Sequence, residues 1–263
     1  MRVAAVQLSL HRGKSEKAVS SAEAQVRKAA RKGARLVCLP EHWLGLSIMD
    51  QRDPILGWFA DVSRDLGIYL NLGANFQRRG GKVFVSSHLI TPQGEIASTQ
   101  DKVHLYRREK RVASPGTRLH IAKVDGLKVG TLVCHDLVFP EPARTLALMG
   151  AELLVVPALI EAGGGSPWLT YLRARALENR VPIVSANIYA PPRILGRSCV
   201  IDPTYDAKSH IMHISEKSAP TGEGLVIADV DAKSQMGPRR ERLRELDNSR
   251  FVDLLYKTWK STR

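Results

Sequence analysis

Cys134 lies where a strand gives way to a helix, a place where an enzyme can hold a nucleophile. Residues 127–133 are apolar enough to form a buried strand, and residues 141–149 have the composition of a helix. A turn between them would expose the thiol near a helix N-terminus, whose free N–H groups favour negative charge. The pattern indicates nucleophilic catalysis by a thiol, although a lone free cysteine is more often a buried structural residue.

Two further ionisable residues follow strand-like segments. Glu41 ends the apolar run 36–40, and Lys102 follows a predicted hairpin strand that ends near residue 99. A carboxylate can carry protons and an ammonium can stabilise an anion, so both complement a thiol that attacks a carbonyl carbon. Taken separately, Glu41 could be a surface acid, and Lys102 could form a surface ion pair with Asp101.

The order of these motifs resembles the nitrilase superfamily, the carbon–nitrogen hydrolases that use a Glu-Lys-Cys triad. The principal matching segments are Leu39-Pro40-Glu41, Lys102-x-His104-Leu105 and Cys134-His135-Asp136-x-x-Phe139-Pro140-Glu141. Further matches are the first strand over 3–7, Glu109, Ser114-Pro115-Gly116, Arg175-Ala176-x-Glu178-Asn179 and Asn187. The resemblance extends over about residues 2–230 and is greatest to the small-amidase branch, which includes ω-amidase-like proteins.

The resemblance implies a division of roles in the hydrolysis of an amide. Cys134 would attack the carbonyl carbon and form a thioester, Glu41 would transfer protons, and Lys102 would stabilise the tetrahedral anion. The backbone N–H of His135, next after the nucleophile, would also donate to that anion, and Glu109 would be a supporting carboxylate near Lys102. This chemistry requires no metal and no other cofactor.

The residues after the nucleophile bear on the substrate. Nitrile-cleaving members typically carry Trp-Glu directly after the cysteine, whereas this chain carries His135-Asp136. The small amidases usually have Tyr or Phe at the position of His135 and Arg at the position of Val138. The chain therefore resembles an amidase, without the arginine that this branch usually has there.

A substrate pocket is expected beside the glycine-rich segment 158–166. Trp168 and Tyr171 are candidate walls of this pocket. Glu161 is a candidate acid that would favour a cationic or amine-bearing amide, or else a plain surface acid.

The sequence thus predicts thiol-dependent hydrolysis of a non-peptide carbon–nitrogen bond in a small amide, with release of ammonia or an amine. A hydrolase of N-carbamoyl compounds, or a nitrilase with the same triad, is an alternative. A third hypothesis is a non-catalytic scaffold that binds polyanions through a basic surface.

Other residues in these motifs have structural interpretations. We expect Cys38 and Cys199 to be inert in apolar strands and His104 to support the loop after Lys102. Arg175 and Glu178 are expected to pair on their helix, and Asn187 is expected to hydrogen-bond a loop near the site.

The chain is basic, with 39 Lys and Arg residues against 26 Asp and Glu residues and a formal net charge of +13. The positive residues are dispersed, with local groups at 27–32, 107–111 and 239–244. These groups lack the interleaved aromatic residues of a nucleic-acid module, so a solvated surface is the expected explanation and a nucleic-acid partner is not expected. Residues 239–244 are expected to form a solvated or partner-facing helix.

Cysteine use and hydropathy predict a cytoplasmic protein. The cysteines at 38, 134 and 199 are odd in number and are not spaced as a disulfide framework, and neither they nor the eight histidines have metal-ligand spacing. No signal-peptide pattern is present, and no apolar run approaches the ~18 residues of a membrane span.

Alternating strand and helix patterns predict an α/β protein with a mixed sheet. Helices are predicted over 15–32, 53–66, 141–149, 167–179 and 248–259. Strands are predicted over 2–8, 35–39, 68–74, 83–90, a partner strand ending near 99, 119–124, 127–133, 152–156, 182–187, 197–202, 210–214 and 224–229.

The resemblance implies a four-layer α-β-β-α sandwich, formed by residues 1–263 as a single domain. It also implies that two subunits pair through the helix after Cys134 and the helix ending near Asn179, as an eight-layer homodimer or a higher even oligomer. The tail, about residues 240–263, is expected to pack on a neighbouring subunit through the apolar side chains of Phe251, Leu254, Leu255 and Trp259.

Overall fold

The structure is a computed structural model that describes residues 1–11, 13–245 and 249–261. The strands are β1 (Arg2–Ser9), β2 (Leu36–Cys38), β3 (Ile48–Met49), β4 (Tyr69–Arg79), β5 (Lys82–Ile90), β6 (Ile96–Asp101), β7 (Ile121–Val124), β8 (Leu127–Thr131), β9 (Leu153–Pro157), β10 (Ile183–Ala190), β11 (Ile194–Leu195), β12 (Cys199–Asp206), β13 (Ile211–Ser218) and β14 (Gly224–Asp229). The α-helices are α1 (Glu16–Arg31), α2 (Pro54–Leu66), α3 (Pro140–Leu148), α4 (Gly165–Asn179), α5 (Met236–Arg244) and α6 (Ser249–Ser261). Short 3-10 helices cover Arg107–Arg111, Cys134–Val138 and Ala162–Gly164.

The strands form two sheets that meet at β10. The first sheet has the order β6-β5-β4-β2-β1, and β14 pairs antiparallel with β1. The second has the order β7-β8-β9-β10-β12-β13. Residues 183–186 of β10 pair with β9, whereas residues 187–189 pair with β1. Parallel pairs at the centre and antiparallel hairpins at the edges confirm the predicted mixed sheet.

The side chains of β1 show how the first sheet is covered on both faces. Ala4 and Val6 lie in a cluster with residues of α1 and α2. Val3 and Ala5 point to the opposite face, where they lie with residues of the second sheet such as Val155. This division follows from the two-residue period of a strand, and it explains why the strand has no polar face.

The second sheet is covered in the same way. On β9, Leu154 and Val156 lie in a cluster with Leu146 of α3 and Leu172 of α4, whereas Val155 lies between the sheets. The layers therefore follow the order α-β-β-α, as expected.

Side-chain caps fix the first turns of α1 and α2. The side chains of Ser15 and Asp53 accept hydrogen bonds from the backbone N–H groups of Ala18 and Ile55, each at 3.2 Å. Gly67 ends α2 in the left-handed region at φ 63°. The predicted bounds of these two helices differ from the observed bounds by one residue.

Some elements differ from prediction. β8 ends at Thr131, two residues before the predicted strand end, because the chain already turns toward Cys134. β12 and β13 are longer than predicted, since they form a hairpin that extends beyond the sheet core. The two-residue strands β3 and β11 are too short to give a sequence pattern.

The basic segment 239–244 forms helix α5, but it is not solvated throughout. Arg239 is buried, and its guanidinium donates to the carbonyl oxygens of Arg180 at 2.9 Å and Ala151 at 3.1 Å. Burial lowers the pKa of Arg239 to about 10. One member of the basic group therefore joins α5 to the segments after α4 and before β9, which corrects the expectation of a solvated or partner-facing position for Arg239, whereas Arg240, Arg242 and Arg244 are exposed.

The terminal helix α6 agrees with its predicted bounds to within two residues. Leu254 and Trp259, which were expected to pack on a neighbour, are 60% and 53% exposed. The side chains of Phe251 and Leu255 lie outside the described residues. Within the described ranges, no helix combines the length and the apolar character that crossing a membrane requires.

Candidate active site

Lys102 lies at the centre of a buried ion-pair network. Its Nζ donates to Oε1 of Glu41 and to Oε1 of Glu109, in both cases at 2.8 Å. The three side chains are 1%, 3% and 10% exposed. Burying an ammonium is costly unless counter-charges satisfy it, and two carboxylates do so here. The surface pair between Lys102 and Asp101 does not form, because Asp101 pairs with Arg79.

Electrostatics keep this network ionised. Burial by itself disfavours the charged form of Lys102, but the negative charges of the carboxylates of Glu41 and Glu109 outweigh it, so the pKa of Lys102 is raised. For Glu109, burial acts to raise the pKa, and hydrogen bonds from His42 and Lys102 reverse this and lower the pKa to about 2. A fixed positive charge therefore stands beside the thiol at neutral pH.

A glycine in β4 lets Glu41 approach this network. The backbone N–H of Glu41 donates to the carbonyl of Ala158 at 3.2 Å, and Glu41 forms an isolated bridge with Ala74. Gly73 lies at the irregularity in β4 with φ 69°, and a Cβ there would collide with the carbonyl oxygen of Pro40. Any residue other than glycine at position 73 would therefore displace Pro40, which directly precedes Glu41.

The loop that follows β6 fixes Lys102. Its backbone N–H donates to the carbonyl of Val85, and its carbonyl accepts from the N–H of Gly116, each at 2.8 Å. A Cβ on Gly116 would meet the carbonyl of Asp101 at 2.5 Å. The Pro-Gly turn identified in the sequence thus packs directly against the lysine.

Cys134 opens a 3-10 turn in a conformation that non-glycine residues rarely adopt. Its φ is 44°, in the left-handed region. The residue is 7% exposed, and its Sγ lies 3.9 Å from the carbonyl oxygen of Leu159. Strained backbone at a nucleophile agrees with the sharp turn expected from the sequence.

The electrostatic expectation for this thiol is wrong. Burial, followed by the negative charge of Glu41, raises the pKa of Cys134 well above its usual value, and Lys102 offsets this only in part. The turn was expected to favour negative charge, but desolvation and the nearby carboxylate outweigh it. The electrostatics of the site therefore favour the thiol form of Cys134 over the thiolate.

Asp136 ties the cysteine turn to the lysine loop. Its fully buried carboxylate accepts from the backbone N–H groups of Val103, His104 and Val133 at 3.3, 2.7 and 3.3 Å. The ring Nδ1 of His104 lies 3.0 Å from the same carboxylate. His104 thus supports its loop as expected, whereas the sequence interpretation gave Asp136 no role.

Arg175 holds the other end of the turn. Its guanidinium donates to the carbonyl oxygens of Leu137 at 3.1 Å and Val138 at 3.0 Å, and it pairs with Glu178 at 3.0 Å. The pairing on α4 was expected. The two bonds to the cysteine turn were not, because they join residues that are distant in the sequence.

His42 is a site residue that the sequence interpretation did not single out. Its Nε2 lies 3.1 Å from Oε1 of Glu109, and its ring packs on Phe76 with centroids 4.8 Å apart. The sequence feature that could have identified His42 is its position directly after Glu41, at the end of a buried strand. His42 thereby helps to hold the charge of Glu109.

One cavity of about 1020 Å³ contains the network and the predicted pocket residues. Its walls include the triad with Glu109, His135, Glu161, Trp168 and Tyr171. Trp168 is buried and Tyr171 is half-buried, which is consistent with their predicted position in the walls of the pocket. The ring of His135 packs against Tyr106 at 4.8 Å, and burial lowers its pKa.

Glu161 does not offer a free acid to a cationic substrate. Its carboxylate pairs with Arg193 at 2.6 Å, and that hydrogen bond lowers its pKa. The suggestion that Glu161 selects a cationic amide is therefore not supported, since its carboxylate is already paired with Arg193.

One group of side chains in the site has the composition of a metal-binding set. Oxygen and nitrogen atoms of Glu41, His42 and Glu109 lie within 4.8 Å of one another, close enough to suit a metal ion. The ammonium of Lys102 already bridges the two carboxylates, so this donor set fits the lysine rather than a metal.

The remaining motif residues behave as expected. Burial raises the pKa of Cys38, and it raises that of Cys199 to about 12, so both are poor nucleophiles. The side-chain oxygen of Asn187 accepts from the N–H of Ile160 at 2.9 Å, in the loop that borders the cavity.

Comparison with known proteins identifies the family. Residues 2–236 match the family model described as carbon-nitrogen hydrolase. The chain is 29% identical over 248 residues to a protein named nitrilase from Pyrococcus abyssi, covering 88% of this chain and 90% of that one. It is 29% identical over 255 residues to an omega-amidase of Danio rerio, covering 88% of each. It is 31% identical over 260 residues to the deaminated glutathione amidase of Mus musculus, covering 87% of this chain and 77% of the relative.

Solved structures have the same fold. A carbon-nitrogen hydrolase from Helicobacter pylori G27 superposes with a TM-score of 0.81 at 21% identity, covering 97% of this chain and 98% of that one. An amidase from Nesterenkonia sp. superposes with a TM-score of 0.74 at 24% identity, covering 94% and 96%. With the family model matched over residues 2–236 of 263, the chain belongs to the carbon-nitrogen hydrolase family and is a hydrolase of non-peptide carbon–nitrogen bonds.

Proposed function

We propose that the chain hydrolyses a small amide through a thioester on Cys134, with Glu41 as the proton carrier and Lys102 as the fixed positive charge. The observation that supports this most directly is the buried pair of 2.8 Å bonds from Lys102 to Glu41 and Glu109, in the cavity that also contains the Cys134 thiol. The names of several relatives, omega-amidase and deaminated glutathione amidase, agree with an amide substrate.

The first half of the reaction forms the thioester. As Sγ of Cys134 bonds to the carbonyl carbon, the thiol proton passes to Glu41, and the carbonyl electron pair moves onto oxygen. Lys102 and the N–H of His135 stabilise that oxyanion. Glu41 then gives the proton to the leaving nitrogen, the carbon–nitrogen bond breaks, and ammonia or an amine departs.

The second half restores the enzyme. Glu41 takes a proton from water as the water oxygen bonds to the thioester carbon. The carbon–sulfur bond then breaks, the carboxylic acid departs, and the proton returns to the sulfur of Cys134. Burial, followed by the charge of Glu41, raises the pKa of Cys134, so the thiol keeps its proton until Glu41 accepts it during attack on the carbonyl carbon.

Glu109 acts on the reaction through Lys102. It accepts from Lys102 at 2.8 Å, from the ring of His42 at 3.1 Å and from the backbone N–H of Tyr106 at 2.7 Å. These contacts leave the carboxylate few free directions, so Glu109 is a positioning residue for the ammonium.

We also propose the whole-molecule properties that the resemblance implies. Residues 1–263 form one domain, which pairs as a homodimer through α3 and α4, with the tail over about 240–263 packing on the partner. Exposed apolar side chains of Leu148, Met149 and Leu177 on and beside these helices support this pairing. A cytoplasmic location is supported by three cysteines that are all free and buried.

Ammonia release from a panel of small amides, nitriles and N-carbamoyl compounds tests the proposed function. We expect amides to be hydrolysed, and we expect Cys134→Ala to reduce release to background, since loss of a nucleophile costs on the order of 10⁶ in rate. Cys199→Ala is the matched control and should keep its activity, because Cys199 is buried in β12 outside the cavity.

The panel also separates the alternatives. A preference for N-carbamoyl compounds or nitriles would indicate a carbamoylase or a nitrilase with the same triad. Undiminished ammonia release by Cys134→Ala would contradict the thioester mechanism. No turnover of any compound, together with salt-sensitive binding of nucleic acid, would favour the polyanion scaffold instead.

A further inference from the structure

The mouth of the cavity carries positive charge that the hydrolytic chemistry does not use. Arg107, Arg108 and Arg111, on the 3-10 turn after Lys102, all line the cavity and are exposed. Arg193, from the segment between β10 and β11, lines the same cavity. Two segments that are distant in the sequence therefore bring exposed guanidinium groups to this cavity.

This charge is only partly balanced by the protein. Glu161 pairs with Arg193 at 2.6 Å, and the guanidinium of Arg107 lies 5.1 Å from the ring centroid of Tyr106. In the described part of the chain, no carboxylate lies within 4.0 Å of the guanidinium of Arg108 or Arg111. Four arginines against one glutamate leave three unbalanced positive charges at the mouth.

The inner end of the cavity offers no comparable anion site. Lys102 is already bonded to two carboxylates, and the side chain beside the cysteine turn is the apolar Val138. A negative group close to the scissile amide would therefore find no free cation. A negative group farther along the substrate would reach the arginines.

Apolar side chains lie along the same cavity. Leu46, Ile48 and Val112 line it and are 80%, 39% and 56% exposed, so the cavity offers accessible apolar surface to a ligand. The volume of about 1020 Å³ is at the upper end of the ~300–1000 Å³ typical of small-molecule sites. A two- or three-carbon amide would leave much of this cavity empty.

We propose that the preferred substrate is an elongated amide with an apolar body and a negatively charged far end, bound chiefly by Arg108 and Arg111. The charged group is a carboxylate or a phosphate, because a guanidinium binds both through paired hydrogen bonds. This inference rests on the proposed amide hydrolysis and specifies the substrate class of the same site.

A matched series of amides tests this substrate class. The series compares linear alkyl amides with ω-carboxy amides, from succinamate to the monoamide of sebacic acid, and with ω-phosphate amides of the same lengths. For the longer amides, kcat/KM should be at least about tenfold higher with a charged end than with a methyl end. This factor corresponds to the contribution of one charge-assisted hydrogen bond. Whichever charged series has the higher kcat/KM identifies the bound group as a carboxylate or a phosphate. Added salt should reduce the ratio of kcat/KM between charged and neutral amides.

Arginine variants test which residues bind the charge. In the double variant Arg108→Gln with Arg111→Gln, the preference for charged amides should disappear, mainly through a higher KM for those amides. The double variant Arg108→Lys with Arg111→Lys should keep part of it, because the positive charge remains. Arg31→Gln with Arg78→Gln is the control for net charge, since both residues are exposed and lie outside the cavity, and it should keep the full preference.

The outcomes separate this inference from the proposed function. Equal kcat/KM for charged and neutral long amides, or an unchanged preference after Arg108→Gln with Arg111→Gln, would overturn the inference and leave amide hydrolysis intact. No turnover of any amide would contradict the proposed function. Calorimetric binding of the same amides to Cys134→Ala would then still decide the inference, since tighter binding of the charged series supports it and equal binding overturns it.

Discussion

A buried thiol between a carboxylate and an ammonium differs as a nucleophile from an exposed thiolate. At Cys134, desolvation and the charge of Glu41 favour the protonated form, and Lys102 only partly opposes them. In the proposed mechanism the thiol becomes reactive when its proton can pass to Glu41, so proton transfer and attack belong to one event. This arrangement protects the cysteine when no substrate is bound.

The pH dependence of alkylation by iodoacetamide should reveal this protonation state. Only the thiolate reacts, so the raised pKa of Cys134 predicts a rate that is low at neutral pH and still rising above the ordinary thiol range. Glu41→Gln removes a charge that raises this pKa, so the profile should move to lower pH. Lys102→Met removes a charge that lowers it, so the profile should move to higher pH.

Mass spectrometry of the alkylated protein checks this prediction. One of the three cysteines should be labelled in the native protein, because Cys38 and Cys199 are fully buried, and all three should be labelled in urea. Cys134→Ala should take up no label under native conditions. A rate already at its plateau at neutral pH would show that the resting thiol is ionised, against the prediction.

At the scale of elements, the cysteine turn is held from two sides. Asp136 bonds it to the loop after Lys102, and Arg175 bonds it to α4. These contacts fix a turn whose first residue, Cys134, has an unfavourable positive φ of 44°. The position of Cys134 therefore depends on Asp136 and Arg175, which bond to the backbone on either side of it.

Asp136→Asn should destabilise the protein and reduce its activity. The carboxylate accepts only from N–H groups, so the NH₂ of an asparagine would face donors and leave buried groups unsatisfied. We expect a loss of about 2–3 kcal/mol in the free energy of unfolding, measured by urea titration. Asp50→Asn, at an exposed position, is the control and should change stability by less than about 0.5 kcal/mol. If both substitutions changed the free energy of unfolding equally, the bonds of Asp136 would not be what stabilises the cysteine turn.

At the scale of the whole molecule, the site draws on both sheets. Glu41 follows β2 and Lys102 follows β6 in the first sheet, whereas Cys134 follows β8 in the second. The β1 and β10 strands join the sheets directly through Gln7 and Asn187. The triad geometry therefore depends on the two sheets staying packed together.

Urea unfolding should show one transition in which activity and far-ultraviolet circular dichroism are lost together, as for a single domain. If α3 and α4 pair two subunits, the midpoint should rise with protein concentration, because dimerisation stabilises the folded chain by mass action. Leu148→Glu with Met149→Glu should abolish that concentration dependence, and sedimentation equilibrium should then give the monomer mass. Two separate transitions would argue against one domain, and a monomer mass for the unsubstituted chain would argue against the dimer.

The sequence by itself determined the local features and the family. The bounds of α1 and α2 were predicted to within one residue, because the groups that begin these helices, such as Ser15 and Asp53, act within one helical turn. The order of Glu41, Lys102 and Cys134 at the ends of predicted strands gave the family resemblance that the carbon-nitrogen hydrolase match confirms.

Only the tertiary structure decided the electrostatics of the site. Glu41 and Lys102 are 61 residues apart in the sequence, and His42 and Glu109 are 67 apart, so no local pattern could show that they touch. The protonation of Cys134 depends on burial and on charges from distant segments. A sequence pattern records residue types and spacing, whereas burial and the position of counter-charges arise only when the two sheets and their loops pack together.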